Sequence, residues 1–312
     1  MKKKLLATIL MAAMAVSMMT GCGSSDDTTA DTTTETEATD SEAADSQAAD
    51  SEATDSTSSL AGNEITVVSR EDGSGTRGAF IELTGVEVDD QDMTTAEAII
   101  TNSTEVMMTT VAGDENAIGY ASMGSMNDTV KAVNVEGVEA TADNVKNGTY
   151  VLSRPFNIAT QAEVSDVAQD FINFIMSAEG QAVIEEKGYI AVDSEAASFE
   201  SNGATGKIVV AGSSSVTPVM EKLQEAYLEI NTGAEIELQE SDSTTGMTQA
   251  IDGTCDIGMA SRELKDSELE AGLTSTSIAM DGICVIVNNA NGISDLTCDE
   301  IAAIFKGERT EW

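Results

Sequence analysis

The chain has 312 residues, with 55 Asp and Glu against 15 Lys and Arg and no His, giving a formal net charge of −40. So acidic a balance excludes nucleic-acid binding, which needs a positive face for the phosphate backbone. The absence of His excludes a Ser-His-Asp triad.

The first residues read as a processing signal. Lys2, Lys3 and Lys4 precede an apolar run over residues 5–19, too short and wrongly flanked for a membrane-spanning helix. The run ends in Met19-Thr20-Gly21-Cys22, and small residues before a lone Cys are the pattern of a lipoprotein cleavage site. Residues 1–21 are therefore expected to be a lipoprotein signal peptide and Cys22 the lipidated residue, anchoring the chain to the outer face of the cell membrane. An ordinary signal peptide that happens to end near a Cys is the alternative. Residues 22–60 are Ser, Thr, Ala, Asp and Glu, with no Lys or Arg. Such a segment buries too little apolar surface to offset chain entropy and predicts a disordered acidic linker, with ends roughly 35 Å apart.

The remaining residues suffice for one large domain or two lobes. Strand and helix patterns alternate along them: a strand over 64–69, then helices over 78–83 and 103–112. A short buried strand at 117–120 and helices over 164–177 and 180–187 follow. Next come a strand at 207–211, a helix at 218–230, a strand at 234–240 and a helix at 244–252. An apolar strand at 281–288 and a helix at 296–305 end the series. The alternation predicts an α/β fold with parallel or mixed sheets. Residues 199–206 form a polar, Gly-containing joint that suits either a domain boundary or a surface loop. Cys255, Cys284 and Cys298 match no zinc spacing, no metal is expected, and an odd count excludes a complete disulfide framework, so free thiols are expected. Cys284, within an apolar run, reads as a small buried hydrophobe.

Three loops share one design, each rich in Ser, Thr and Gly and each just before a helix. The first is Ser69-Arg70-Glu71-Asp72-Gly73-Ser74-Gly75-Thr76-Arg77, after a strand. Glycines let backbone N–H groups approach a ligand, and a helix amino end offers unpaired donors and partial positive charge. Ser74 and Thr76 add hydroxyls, and Arg70 adds a fork of donors suited to an oxyanion. Asp72 is expected to orient Arg70. The second loop is Gly212-Ser213-Ser214-Ser215-Val216-Thr217-Pro218, and the third is Ser241-Asp242-Ser243-Thr244-Thr245-Gly246. One such loop alone reads as capping and turn chemistry. Three together, one carrying Arg, predict an anion site. None has the P-loop or GxGxxG spacing.

Residues 69–80 (SREDGSGTRGAF) resemble the phosphate-binding signature of the periplasmic phosphate-binding proteins of ABC importers, the PstS family. Residues 212–218, 256–263 (DIGMASRE), 279–288 (AMDGICVIVN) and 304–312 (IFKGERTEW) resemble it too, as do 117–120 (AIGY) and Arg154-Pro155-Phe156. The resemblance implies the two-lobed periplasmic-binding-protein fold, α/β with mixed sheets and a hinge, with no enzymatic activity and no cofactor. Its blocks stand out of the family's usual order, as a circular permutation gives; a truncated chain with a further copy of the signature is the alternative. Joining Trp312 to Glu64 restores the order, with residues 199–206 as the loop sealing the old ends. One lobe is then split, 64–153 plus 285–312, and the other continuous, 154–284, with crossings expected near 155–159 and 285–287.

Residue by residue, the resemblance implies phosphate contacts from Ser214 and Ser215, through hydroxyl and backbone N–H, and from Ser243 on one lobe. Arg70, Ser74, Gly75 and Thr76 come from the other. The best-known members carry an Asp that accepts the proton of hydrogen phosphate where this chain has Ser261 followed by Arg262; Asp281 is expected as the substitute acceptor, with a turn or cap before a strand as its alternative role. The implied protein is an extracytoplasmic, lipid-anchored monomer that delivers inorganic phosphate to the membrane permease of an ABC importer. The alternatives are another oxyanion, sulfate or molybdate, or a surface adhesin or phosphate sensor. An enzyme would need a Ser–Lys arrangement, and no lysine sits beside these loops.

Overall fold

The computed structural model describes residues 61–312. The expected signal peptide, Cys22 and the acidic linker lie outside the described residues.

Strand β1 (Thr66–Arg70) turns through Asp72 and Gly73 into α1 (Gly75–Thr84), which Gly85 ends at φ 74°, a left-handed conformation open to glycine. The hairpin β2 (Glu87–Val88) and β3 (Gln91–Asp92) and the strand β4 (Ile99–Thr101) lead to α2 (Thr104–Ala112). Then come β5 (Ala117–Ser122), buried throughout, β6 (Val130–Val135), α3 (Ala142–Lys146) and β7 (Ser153–Thr160). Helices α4 (Asp166–Ile175) and α5 (Ala178–Glu186) precede β8 (Ile190–Ala191). The next run is β9 (Gly206–Ser213), α6 (Thr217–Ile230), β10 (Ala234–Ser241), α7 (Ser243–Ile251), β11 (Ile257–Ala260) and α8 (Asp266–Glu270). Strand β12 (Thr274–Asn288), β13 (Asp295–Leu296) and α9 (Cys298–Phe305) close the chain.

The main strand order is β10-β9-β11-β7-β12-β5-β1-β4. Pairing is parallel among β9, β10 and β11 and among β1, β4 and β5; it is antiparallel where β12 meets β7 and β5. Helices cross between the parallel strands, as the alternating pattern predicts. Two large cores form. Phe80, Met107, Ile118, Tyr120, Val285 and Phe305 belong to the first. Phe156, Phe171, Phe174, Val210, Leu223 and Tyr227 belong to the second. Each such side chain contributes about 1.5–3 kcal/mol by leaving water.

Strand β12 serves both cores. Its residues Thr274–Gly282 pair with β7, and Ile283–Val287 pair with β5. Ile278 and Ala279 pack in the second core, Ile283 and Cys284 in the first. On β7 the change comes between Leu152 and Phe156. Both crossings therefore lie a few residues before the positions expected from sequence, and Arg154 faces Asp281 in register between them.

The chain's described ends meet. Trp312 donates its N–H to the Asn63 carbonyl at 3.0 Å and accepts from Gly62 N–H at 3.2 Å, and Ile65 N–H reaches Thr310 at 2.8 Å. Residues 199–206 are packed down. Phe199 stands edge-on to Phe174 with ring centroids 5.3 Å apart, and Asp170 accepts from Ser201 Oγ at 2.7 Å and Asn202 N–H at 2.8 Å. Cys255, Cys284 and Cys298 are unpaired; burial pushes the Cys255 thiol up to about 11.

Candidate functional site

Four strand-to-helix turns meet where the two cores face each other. Ser74 caps α1 by accepting Arg77 N–H at 3.3 Å, which leaves Gly75 and Thr76 in the first turn. Ser103 caps α2, and Asp242 caps α7. Helix α6 has no side-chain cap and carries Pro218 in its first turn, where a missing N–H costs nothing. A Cβ on Gly75 would stand 2.4 Å from Ser243 Oγ and 2.9 Å from Ser261 Oγ, so only glycine lets the opposing loops approach this closely. The Gly73 carbonyl accepts Thr244 N–H across the same gap at 3.1 Å.

The side chains converge. Arg70 Nη2 donates to Ser214 Oγ at 3.1 Å and Nη1 to Thr104 Oγ1 at 3.3 Å. Thr76 Oγ1 lies 2.8 Å from Ser215 Oγ and 3.5 Å from Ser261 Oγ. Thr104 Oγ1 lies 3.0 Å from Ser215 Oγ, and Ser243 Oγ accepts Ser261 N–H at 3.1 Å. Arg70, Thr76, Thr104, Ser214, Ser215, Ser243 and Ser261 are all buried. This is a buried cluster of hydroxyls and one guanidinium at the amino ends of helices, a chemistry that suits a small oxyanion.

Four of the five arginines lie in or beside this cluster, in a chain of net charge −40. Arg77 holds the Arg70 carbonyl at 2.6 Å, Arg154 the Ser261 carbonyl at 3.1 Å, and Arg262 the Thr244 hydroxyl at 3.3 Å. Each also meets a carboxylate: Arg77 with Asp72 and Asp92, Arg154 with Asp281, Arg262 with Glu268. The arginines are thus gathered at the cluster, each held by at least one carboxylate.

Tyr120, on β5, backs the site. Its hydroxyl lies 2.8 Å from Ser69 Oγ and accepts Arg70 N–H at 3.1 Å, and burial pushes its pKa up to about 12. It therefore stays a neutral phenol and fixes the end of β1 from which Arg70 projects.

Three expectations need correction. Asp72 does not orient Arg70. It sits in the turn with its side chain 98% exposed and pairs with Arg77 at 2.8 Å. Glu71, one residue closer, folds back and grips Arg70 with both oxygens, Oε2 to Nε at 2.7 Å and Oε1 to Nη2 at 2.6 Å. The Ser214 N–H is also not free for a ligand, because it donates to the Ser241 carbonyl at 2.9 Å as β9 and β10 close their ladder. Asp281 is fully buried at the crossing of β12 and pairs with Arg154 at 3.1 Å. Burial raises its pKa, opposed by the Arg154 charge. Arg154 links it to the back of Ser261, but Asp281 makes no hydrogen bond to the hydroxyl cluster.

Thr104 is the residue that sequence reasoning missed. Asn102-Ser103-Thr104 is a hydroxyl-rich approach to a helix like the other three. Its strand β4 begins with two exposed isoleucines, Ile99 and Ile100, and gave no alternation to mark it.

A model of the PBP superfamily domain matches residues 23–179 and 197–312. The phosphate-binding protein PstS 2 of Streptococcus agalactiae is 50% identical over 262 residues, covering 82% of this chain and 89% of the relative. The chain belongs to the PstS family of phosphate-binding proteins. PstS 2 of Streptococcus pneumoniae is 44% identical over 81% of the chain and 88% of its own length. The crystal structure of a phosphate ABC transporter's phosphate-binding protein from S. pneumoniae superposes with a TM-score of 0.65 at 45% identity. It covers 80% of this chain and 98% of that one. The PstS of Bacillus subtilis, 31% identical, matches only 45% of this chain and 46% of itself. Among the described residues no helix is long and apolar enough to cross a membrane, and no group of three His, Cys, Asp or Glu could hold a metal ion.

Proposed function

We propose that this chain captures inorganic phosphate outside the cell and hands it to the permease of an ABC phosphate importer, as a binding protein and not an enzyme. The observation that carries this reading is the meeting across the cleft of Arg70, Thr76 and Thr104 from one face with Ser214 and Ser215 from the other, beside the buried hydroxyl of Ser243. The relatives that match most of the chain are phosphate-binding proteins by name. Phosphate is held without metal by Arg70, the N–H groups of Gly75 and Thr76, and these hydroxyls, with Ser74 and Ser261 framing them. Lobe II takes residues 64–153 and the last stretch from the β12 crossing to 312, and lobe I lies between. The lobes close by hinge motion at the Arg154 and Asp281 crossings.

Circular permutation accounts for the block order. The streptococcal relatives match in one run, whereas a match of about half of each chain is what sequential alignment returns for a relative with its blocks exchanged. The meeting of Gly62 with Trp312 supports it. The chain works as a monomer tethered through lipid on Cys22, which the Met19-Thr20-Gly21-Cys22 pattern supports.

Isothermal titration with phosphate, sulfate and molybdate tests the reading. One phosphate per chain, bound tighter than either competitor and unaffected by chelator, is expected. No phosphate binding, or tighter sulfate binding, overturns it.

A further inference from the structure

The neighbours of each hydroxyl decide what it can offer a ligand. Ser214 Oγ accepts from Arg70 Nη2 at 3.1 Å and from Thr104 N–H at 3.4 Å, two groups that can only donate. With both lone pairs taken, its own proton can only be given. Ser213 Oγ donates to Ser261 Oγ at 3.0 Å. Thr104, Ser215 and Thr76 differ. Their oxygens form a chain with steps of 3.0 and 2.8 Å in which either partner of each pair can donate. At one end Thr104 Oγ1 accepts from Arg70 Nη1 and lies 3.3 Å from Ser214 Oγ, whose proton can go to it or to a ligand; at the other, Thr76 Oγ1 has only the long 3.5 Å approach of Ser261 Oγ. A hydroxyl gives one hydrogen bond, accepts two, and turns its hydrogen to suit.

The carboxylates nearby are engaged elsewhere. Glu71 is on Arg70, Glu268 on Arg262 and Asp242 on Thr245, while Asp281 meets Arg154 through Oδ2 and keeps a buried, unpartnered Oδ1 that reaches none of the cluster's hydroxyls. Among the described residues no carboxylate oxygen is hydrogen-bonded to Thr76, Thr104, Ser214, Ser215, Ser243 or Ser261.

We propose that the proton of bound hydrogen phosphate is accepted by the Thr104–Ser215–Thr76 hydroxyl chain and not by a carboxylate, so that the site separates phosphate from sulfate only weakly. Resting on the phosphate reading above, this names the residues that set its selectivity. Hydrogen phosphate and sulfate carry the same charge at alkaline pH and differ by one proton. A carboxylate facing sulfate leaves two negative groups with no hydrogen between them, which discriminates steeply. A hydroxyl turns round and donates instead. The remaining difference is the reversal of one or two hydrogen bonds, about tenfold and at most about 100-fold in affinity. The same freedom lets the chain face monobasic or dibasic phosphate. Thr76 and Thr104 come from one face of the cleft and Ser215 from the other, so the chain is complete only when the faces meet.

Titration of the full chain at pH 8 with phosphate and with sulfate tests this, with Thr104→Val, Thr104→Ser and Asp281→Asn alongside and near-ultraviolet circular dichroism as the check on folding. The expected sulfate-to-phosphate Kd ratio is below about 100. Thr104→Val should weaken phosphate about tenfold or more and Thr104→Ser should restore it, whereas Asp281→Asn should leave the ratio within about twofold. A ratio above about 100, a ratio that collapses in Asp281→Asn, or a Thr104→Val protein that binds like the wild type overturns the proposal. Failure of the wild type to bind phosphate at all overturns the importer reading itself, a result distinct from sulfate exclusion.

Discussion

Arg70→Ala should weaken phosphate binding more than any other single change in the cleft. The guanidinium side chain is 3% exposed and gives hydrogen bonds to Ser214, Thr104 and both oxygens of Glu71. Removing it strips a buried anion of the one full countercharge that touches the hydroxyl cluster, at a cost of about 2–5 kcal/mol, or roughly 30-fold to several thousand-fold in Kd. Part of that loss belongs to Glu71. Its side chain is 22% exposed, and without Arg70 its carboxylate faces the ligand unpaired. At about 7 Å and an effective dielectric near 20, that repulsion is about 2 kcal/mol. The double variant Arg70→Ala/Glu71→Gln should therefore recover about 30-fold of the affinity. Arg70→Lys should fall between, since it keeps the charge and loses the fork. Isothermal titration at constant ionic strength measures all four proteins. If Arg70→Ala binds within about threefold of the wild type, Arg70 does not touch the anion and the site is wrongly placed.

Two further predictions concern stability. Asp281→Ala leaves Arg154 as an unpaired buried charge and should cost about 3–5 kcal/mol in urea unfolding, whereas Arg154→Met/Asp281→Leu should come much closer to the wild type; equal losses in both would show that the pair itself is not what the crossing depends on. Asp170 accepts hydrogen bonds from Asn202 N–H, Ser201, Tyr227 and Asn231; although burial pushes its pKa up, these bonds hold it below the ordinary carboxylate value. A depressed folded pKa gives stability that is present above the unfolded value of about 3.9 and is lost as pH falls through the folded one. Asp170→Asn should thus flatten the acid limb of stability below about pH 4 and loosen residues 199–206 to protease, and an unchanged acid limb would contradict it.

Much of the site was legible because its chemistry is local. A strand, a Gly- and Ser-rich turn and a helix amino end are written in consecutive residues, as in Ser69 to Thr76 and Gly212 to Pro218. The helices α2, α4, α5, α6 and α7 were expected to within a few residues for the same reason: apolar spacing and capping act over one or two turns. Strand β7 was not, since Pro155 breaks its pattern. The start of β12 was missed because Thr274-Ser275-Thr276-Ser277 is polar and is held by its pairing with β7 alone.

The sequence by itself determined that an anion would meet donors at helix ends, that Arg70 would be among them, and that no histidine chemistry was open to the chain. Which carboxylate meets which arginine was decided only by the tertiary structure. Glu71 and Asp72 are adjacent and equally acidic, and the turn sends one back to Arg70 and the other out to Arg77. Asp281 was expected to face phosphate, and the crossing strands set it opposite Arg154, 127 residues away. Contacts between residues so distant in sequence depend on strand register and on how the two cores meet, and no local pattern of residues encodes either.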